Sequence, residues 1–253
     1  MKFIRSLRGY DERCDIVINL AGAGLAKRRW TESYKRDIRN SRLATTENLV
    51  DWIRSSTNPP KRLISASAIG YYGFSDTAIF TEADPPGKGF SATLCSDWET
   101  AACRAESLET EVTRLRLGVV LSKEGGAYLE LTKSFGLGIG SWLGSGRQWL
   151  SWVHLDDVCN IFAHVVSNSH PREVYNAVAP EATRHRDFSR AVARNRFTLF
   201  STPVPALAVR LLAGPMADEL LLNGQRVAPA NLLQEAFSFR YPTVESAIEA
   251  MTK

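Results

Sequence analysis

The run Asp15-Ile16-Val17-Ile18-Asn19-Leu20-Ala21-Gly22 restricts the fold more than any other feature of this chain. It is short, apolar without alternation, and ends in small residues. Such a run predicts a strand covered on both faces, the habit of parallel sheets flanked by helices. Two similar runs follow, at 62–67 and 112–121. Between the first two, Trp30, Tyr34, Ile38, Thr45, Leu49 and Ile53 fall near helical spacing, which predicts a helix over 31–54 that Asn58-Pro59-Pro60 stops. Between the second and third, Leu94, Trp98, Ala101, Ala102 and Ala105 mark one face of a helix starting at Ser91 or Thr93. Strand, helix, strand, helix, strand at this spacing predicts βαβ units, and right-handed crossovers place helices on both faces.

Segment 70–88 and the glycine-rich 136–146 read as loops, 149–153 and 174–179 as strands, and 154–166 and 187–195 as helices. Asp156 and Asp157 fall in a first turn, where the helix dipole favours them. The tail from 203 to 251 alternates amphipathic stretches with Pro and Gly. The 253 residues are 44% hydrophobic, enough for a sizeable core without disulfide staples. Cys14, Cys95, Cys103 and Cys159 have neither CxxC nor zinc spacing, so reduced thiols and no metal are expected. The net charge of +4 is scattered, and clusters as short as Lys27-Arg28-Arg29 do not track phosphates, so no nucleic acid is expected. The basic stretch 1–8 is followed by no apolar signal core, and no run reaches the ~18 apolar residues of a membrane span, so the expected location is the cytoplasm, away from membranes.

In open α/β sheets, ligands lie at the carboxyl ends of the strands. Three such ends carry small or polar residues: Asn19-Leu20-Ala21-Gly22, Ser65-Ala66-Ser67 and Arg116-Leu117-Gly118. Small residues admit a ligand close to the backbone, and three ends in order on one sheet predict a binding cleft. The same residues carry a resemblance. Asn19-Leu20-Ala21-Gly22 resembles the NxAG signature of short-chain dehydrogenases, and the segment from Ser65 to Gly73 resembles the strand bearing the catalytic serine in extended members. Trp152-Val153-His154-Leu155-Asp156-Asp157-Val158 resembles their VHVDDVA segment. Arg29-Trp30-Thr31-Glu32, the pair Trp98-Glu99 and the run from Ala217 to Val227 are similar to the atypical extended subfamily named "epimerase family protein".

The resemblance implies an α/β, Rossmann-like, doubly wound and mainly parallel sheet over residues 1–200, with a small C-terminal α+β substrate region over 201–253. It implies NADP or NAD as cofactor, held by Asn19, Leu20, Ala21, Gly22, Ser65, Ala66, Arg116 and Gly118. Ser67 falls where relatives bond the substrate oxygen, and Tyr71 and Tyr72 are the proton-donor candidates beside it. For His154, Glu82, Arg147 and Gln148 the residues favour structural or solvent-facing roles, and for Trp98 the core. The substrate is a small molecule of unknown identity. Surface helices pair into dimer contacts in many relatives, so a homodimer is among the assemblies the resemblance allows.

Two departures stand out. The family's opening strand and GxxGxxG turn, whose helix N-terminus holds the pyrophosphate, are absent, and the residues before Asp15 are too few for a first βαβ unit of ~30 residues. A fragment or mis-set gene start, a part of a longer protein, and a true short form that pairs its open edge are the three explanations; weak or absent cofactor binding is expected of the chain as it stands. Second, the family's Tyr-x-x-x-Lys positions fall on Ser91 and Cys95, and neither can act as that acid and cation do. The expected function is an NAD(P)-dependent oxidoreductase or epimerase-like protein; the alternative is a non-catalytic nucleotide-binding or protein-interaction relative.

Overall fold

The structure, a computed structural model, describes residues 13–252; the basic stretch 1–8 lies outside the described residues. Strand β1 (Ile16–Asn19) leads through a loop to α1 (Glu32–Ser55). Thr31 caps α1, its hydroxyl accepting the Tyr34 N–H at 3.1 Å. The inward face carries Tyr34, Ile38, Leu49 and Ile53 as the spacing predicts, but Thr46 is buried where Thr45 was expected. The reason is polar: the Thr46 hydroxyl accepts from both Asn19 and Trp98.

Strand β2 (Arg62–Ala68) follows, then a helical turn at Ile69–Tyr72, the two-residue β3 (Ile79–Phe80) inside the expected loop, α2 (Phe90–Cys103), β4 (Glu111–Leu117) and β5 (Val119–Ser122). The single strand expected over 112–121 is thus broken at Gly118. The Gly118 N–H bonds Ala177 while that of Val119 bonds Ser151, so the chain passes there from one sheet to another. A Cβ at 118 would stand 2.8 Å from the Ser151 oxygen. Next come β6 (Gly125–Gly126), α3 (Ala127–Leu131), β7 (Ile139–Leu143), β8 (Trp149–Leu150), β9 (Trp152–His154) and α4 (Leu155–Ser167). The expected loop 136–146 therefore holds a strand: its partner, 200–204, lies far along the chain, beyond the reach of local pattern. Then follow β10 (Val174–Ala177), β11 (Thr183–Arg184), α5 (His185–Asn195), β12 (Phe200–Val204), α6 (Ala206–Ala213), β13 (Arg226–Val227), α7 (Ala230–Gln234) and α8 (Val244–Thr252).

The main sheet has the order β1-β2-β4-β10, with every pairing parallel. Alternation along β2 shows both faces covered: Leu63 packs with Leu49, Ile53 and Ala102 of α1 and α2, and Ile64 with Ile161 and Val165 of α4. A third cluster joins Trp152 and Leu121 to Phe188 of α5 and to Ile248 and Met251 of α8, so the last helix returns to the core. Among the described residues β1 pairs on one side only, with Ile18 44% and Leu20 62% exposed. No helix among the described residues is long and apolar enough to cross a membrane.

Candidate active site at the carboxyl ends of the parallel strands

Register builds the site. Ser67 lies beside Arg116 and Arg116 beside Asn176, while Asn19 lies beside Ser65 one pleat earlier. Side chains two apart share a face, so all five face the α1–α2 side. Glu99, one turn beyond Cys95 on α2, meets this row. Its carboxylate accepts Arg116 Nε and a terminal guanidinium nitrogen, each at 2.9 Å, and the Ser67 hydroxyl at 2.6 Å. Arg116 also donates to the Tyr72 hydroxyl at 2.8 Å, which donates to Asn176 Oδ1 at 2.7 Å. Every member of this network is buried. Burial pushes the Tyr72 phenol up to about 12. Burial also works against the charge on Arg116, but the hydrogen bonds and charge of Glu99 outweigh it and hold the guanidinium above its ordinary range.

The candidate residues are thus gathered but differently employed. Ser67 and Tyr72 are interior, their hydroxyls engaged with Glu99 and Asn176. Tyr71 is half-buried, its ring stacked on Arg116 at 3.5 Å, and its hydroxyl bonds none of the described residues. Arg116 is committed to Glu99. Asn19 Oδ1 accepts the Ala21 N–H at 3.1 Å and its amide reaches Thr46 at 2.9 Å, so Asn19 shapes the turn. Ser65 and Ala66 are buried in β2, Ala66 on the opposite face from Ser65, and Gly118 sits against Ser151. Leu20 and Gly22 are exposed and Ala21 half-buried. Arg42 lies under this turn, bonding the Ala23 carbonyl at 3.0 Å; a Cβ on Gly22 would come 2.9 Å from its Cζ.

Glu99 and Asn176 were not singled out as site residues from the sequence. The signal for Glu99 was present: a carboxylate on the apolar side of α2, four residues after Cys95 and three before Ala102. Other expectations resolve locally. His154, through Nδ1, caps α4 by accepting the Asp156 N–H at 3.1 Å. Asp157 is fully buried and holds the main chain of Arg240 and Tyr241, so it anchors the tail beyond serving its own helix. Glu82 accepts the N–H groups of Asn176 and Asn231. Gln148, read as a solvent-facing loop residue, is buried, because its amide ties the Leu143 and Leu221 carbonyls together. Trp98 is core.

The segment after α6 crosses the carboxyl-end side. Gly214 abuts Arg29, Met216 and Leu220 pack on Trp30, Tyr34 and Leu94, and Gln225 donates to the Ile69 carbonyl. From this segment Glu219 reaches the N-terminus of α2, whose capping position is Gly89, with φ +104° and no side chain to offer. Its carboxylate accepts the Phe90 and Ser91 N–H groups at 3.2 and 3.3 Å and the Ser91 hydroxyl at 2.8 Å. Cys95 is buried, its thiol pushed up to about 11 chiefly by that burial.

A family model described as NAD dependent epimerase/dehydratase family matches residues 6–178. The chain belongs to that family. A domain of unknown function (DUF1731) matches 204–251, the stretch that contains Glu219. Among relatives, the epimerase family protein SDR39U1 homolog, chloroplastic, of Arabidopsis thaliana is 36% identical over 93% of this chain and 67% of its own length. The epimerase family protein SDR39U1 of Bos taurus is 33% identical over 94% of this chain and 82% of its own length. The crystal structure of human epimerase family protein SDR39U1 (isoform 2) with NADPH superposes with a TM-score of 0.89 at 32% identity, covering 95% of this chain and 82% of that one. UDP-glucuronic acid 4-epimerase of Bacillus cereus, with UDP-glucuronic acid and NAD, has a TM-score of 0.73 at 15% identity over 94% and 74% of the two chains, a likeness of fold. The Rossmann-like expectation therefore holds across the described sheet.

Proposed function

We propose that the protein is an oxidoreductase or epimerase-like enzyme that uses NADP(H) at the carboxyl ends of β1 and β2. The observation that carries this is the in-register row Ser67–Arg116–Asn176 beside the bare turn Leu20–Ala21–Gly22. The described residues suit the nicotinamide end of a dinucleotide: an exposed apolar Leu20, an exposed Gly22 main chain, and a row whose charges cancel within the protein. NADP(H) is favoured over NAD(H) because the human relative, at a TM-score of 0.89, holds NADPH. The cofactor supplies or removes hydride. Tyr71 gives or takes the proton at its hydroxyl, while Ser67 and Tyr72 hold Arg116 and Glu99 rigid beneath it. Four unpaired thiols suit a reducing compartment, the cytoplasm.

The self-satisfied row also favours a second reading, a nucleotide-binding protein without turnover. Fluorescence titration with NADPH and NADH, followed by NADPH absorbance loss with a panel of aldehydes and ketones, separates the two. Saturable NADPH binding, tighter than NADH, and turnover that falls at least ~10-fold in Tyr71→Phe with unchanged melting support the enzyme. Binding without turnover supports the second reading, and no saturable binding of either nucleotide defeats both.

A further inference from the structure

Arg116 and Arg42 both reach inward at the carboxyl ends of the strands, but only the first has a counter-charge. Arg116 is held by Glu99 at two points. The titratable side chains that face the half-buried Arg42 are Cys95 and Tyr34, and no carboxylate of the described residues pairs with it. Burial accordingly pulls Arg42 below its ordinary range. A guanidinium has five N–H donors. In Arg42, Nη1 bonds the Ala23 and Ile38 carbonyls at 3.0 and 3.2 Å, while Nε and Nη2 bond none of the described residues. The tether to the turn therefore uses one nitrogen and leaves the charge without a structural role. A cation drawn out of water with no counter-charge destabilises the fold, so its retention points to a ligand that supplies one.

The guanidinium lies against Gly22. A Cβ there would stand 2.9 Å from Cζ, 3.1 Å from Nη2 and 3.2 Å from Nη1, so only glycine leaves it room. The main chain on either side is already fixed. The Ala21 N–H bonds Asn19 Oδ1 at 3.1 Å, the Ala23 N–H bonds the Ser41 hydroxyl at 2.8 Å, and the Gly24 carbonyl accepts the Tyr34 hydroxyl at 2.6 Å. Between them the exposed Gly22 N–H bonds none of the described residues. The surrounding charge has one sign. No carboxylate occurs between Asp15 and Glu32, whereas Lys27, Arg28 and Arg29 do. All three are exposed, and Glu32 is paired with Lys35 at 3.0 Å. A cluster this short does not track a nucleic acid, but its field adds to that of Arg42 in drawing a small anion to the turn.

We infer that Arg42 and the Gly22 N–H form a seat for a phosphate group; on the cofactor reading above, on which this step rests, the group is a phosphate of the dinucleotide. A guanidinium edge meets an oxyanion with charge-assisted bonds, and glycine lets the group come close to the main chain. Cys95, at the place where the resemblance expects a cation, has none to offer. Arg42 faces that same thiol from the neighbouring helix, so the positive charge comes from α1 instead of α2.

Titration calorimetry with inorganic pyrophosphate and with NADPH tests the inference. The wild-type chain is expected to bind both saturably, and each is expected to displace the other. Arg42→Gln keeps a donor for the Ala23 carbonyl but removes the charge. It is expected to raise both dissociation constants at least ~10-fold with Tm retained, as losing a charge-assisted bond does. Gly22→Ala pushes the flexible guanidinium off its place and is expected to weaken both at least ~3-fold, since the attraction falls with distance. Arg42→Lys, which keeps the charge, is expected to stay within ~3-fold of wild type. Arg54→Gln removes an equal charge ~18 Å further along the same helix and is expected to change neither affinity. Pyrophosphate bound through Arg42 without any binding of NADPH keeps the seat and removes the cofactor reading. NADPH affinity unmoved by Arg42→Gln and Gly22→Ala overturns the seat and leaves the cofactor reading standing. A wild-type chain that pyrophosphate does not bind, or an equal loss in Arg54→Gln, also overturns the seat.

Discussion

Replacing Glu99 by Gln should unsettle the protein more than removing the whole ion pair does. Arg116 and Glu99 are 3% and 5% exposed and are joined by two nitrogen–oxygen contacts of 2.9 Å. Taking away the carboxylate charge leaves a guanidinium in the interior with Tyr72 as its remaining strong partner. Breaking a buried pair in this way costs about 3–5 kcal/mol, and the weakened acceptor for Ser67 adds about 1 kcal/mol. Of a total stability of ~5–15 kcal/mol this is a large fraction. For a chain of this size it corresponds to a drop of roughly 10 °C or more in Tm. The double variant Glu99→Leu with Arg116→Met removes both charges and fills similar volume, so it is expected to cost less than the sum of the singles by at least ~2 kcal/mol. Urea unfolding of the wild type, Glu99→Gln, the singles Glu99→Leu and Arg116→Met, and the double variant measures this. Strict additivity, or a Glu99→Gln protein within ~1 kcal/mol of wild type, refutes the idea that the row is a coupled, buried charge lattice.

Two further outcomes follow from single residues. Glu219→Ala removes the acceptor for two N–H groups and one hydroxyl at the start of α2, so a loss of about 1–2 kcal/mol is expected in thermal melts, with faster proteolysis between α6 and β13; an unchanged melt sinks the capping role. His185 is buried and its pKa is pulled down to about 4 by that burial, while the unfolded chain titrates near ~6.5. Above pH ~6.5 both states are neutral; below it the unfolded state takes the proton first, so stability falls by about 1.4 kcal/mol per pH unit until the folded pKa is passed. His185→Gln is expected to flatten urea midpoints over that window relative to wild type, and parallel curves refute it.

The parts legible in the sequence were those set by local pattern. Apolar strands without alternation, at 16–19 and 62–68, and the amphipathic helices between them follow from period and length alone, although only the second strand is buried on both faces and Ile18 of the first is exposed. What escaped depends on partners distant in the chain. β7 became visible only with β12, some sixty residues on. The break at Gly118 depends on Ser151 and Val178 crowding that glycine. At the site, Ser67, Tyr72 and Arg116 could be named from the strand ends, but not that Glu99 engages two of them or that Asn176 closes the row. Those facts need the register of β10 beside β4, and nothing in a strand's own residues states which strand lies next to it.

That register also bears on where proton transfer takes place. Ser91 and Cys95, at the places where the resemblance expects an acid and a cation, are engaged otherwise: Ser91 bonds Glu219, and Cys95 is a buried thiol held neutral. Ser67 and Tyr72 are interior. Tyr71 combines a half-exposed phenol with a cation, Arg116, fixed 3.5 Å from its ring. A stacked guanidinium orients the ring, and it does so only while Glu99 holds it. The two substitutions should therefore separate in kind. Tyr71→Phe removes the proposed proton carrier and is expected to lower kcat with Tm unchanged. Glu99→Gln lowers Tm and, through the loosened Arg116, kcat together. If Glu99→Gln destabilises the protein but leaves kcat at wild-type level below the melting transition, Arg116 is a structural lattice point alone and Tyr71 is oriented by something else.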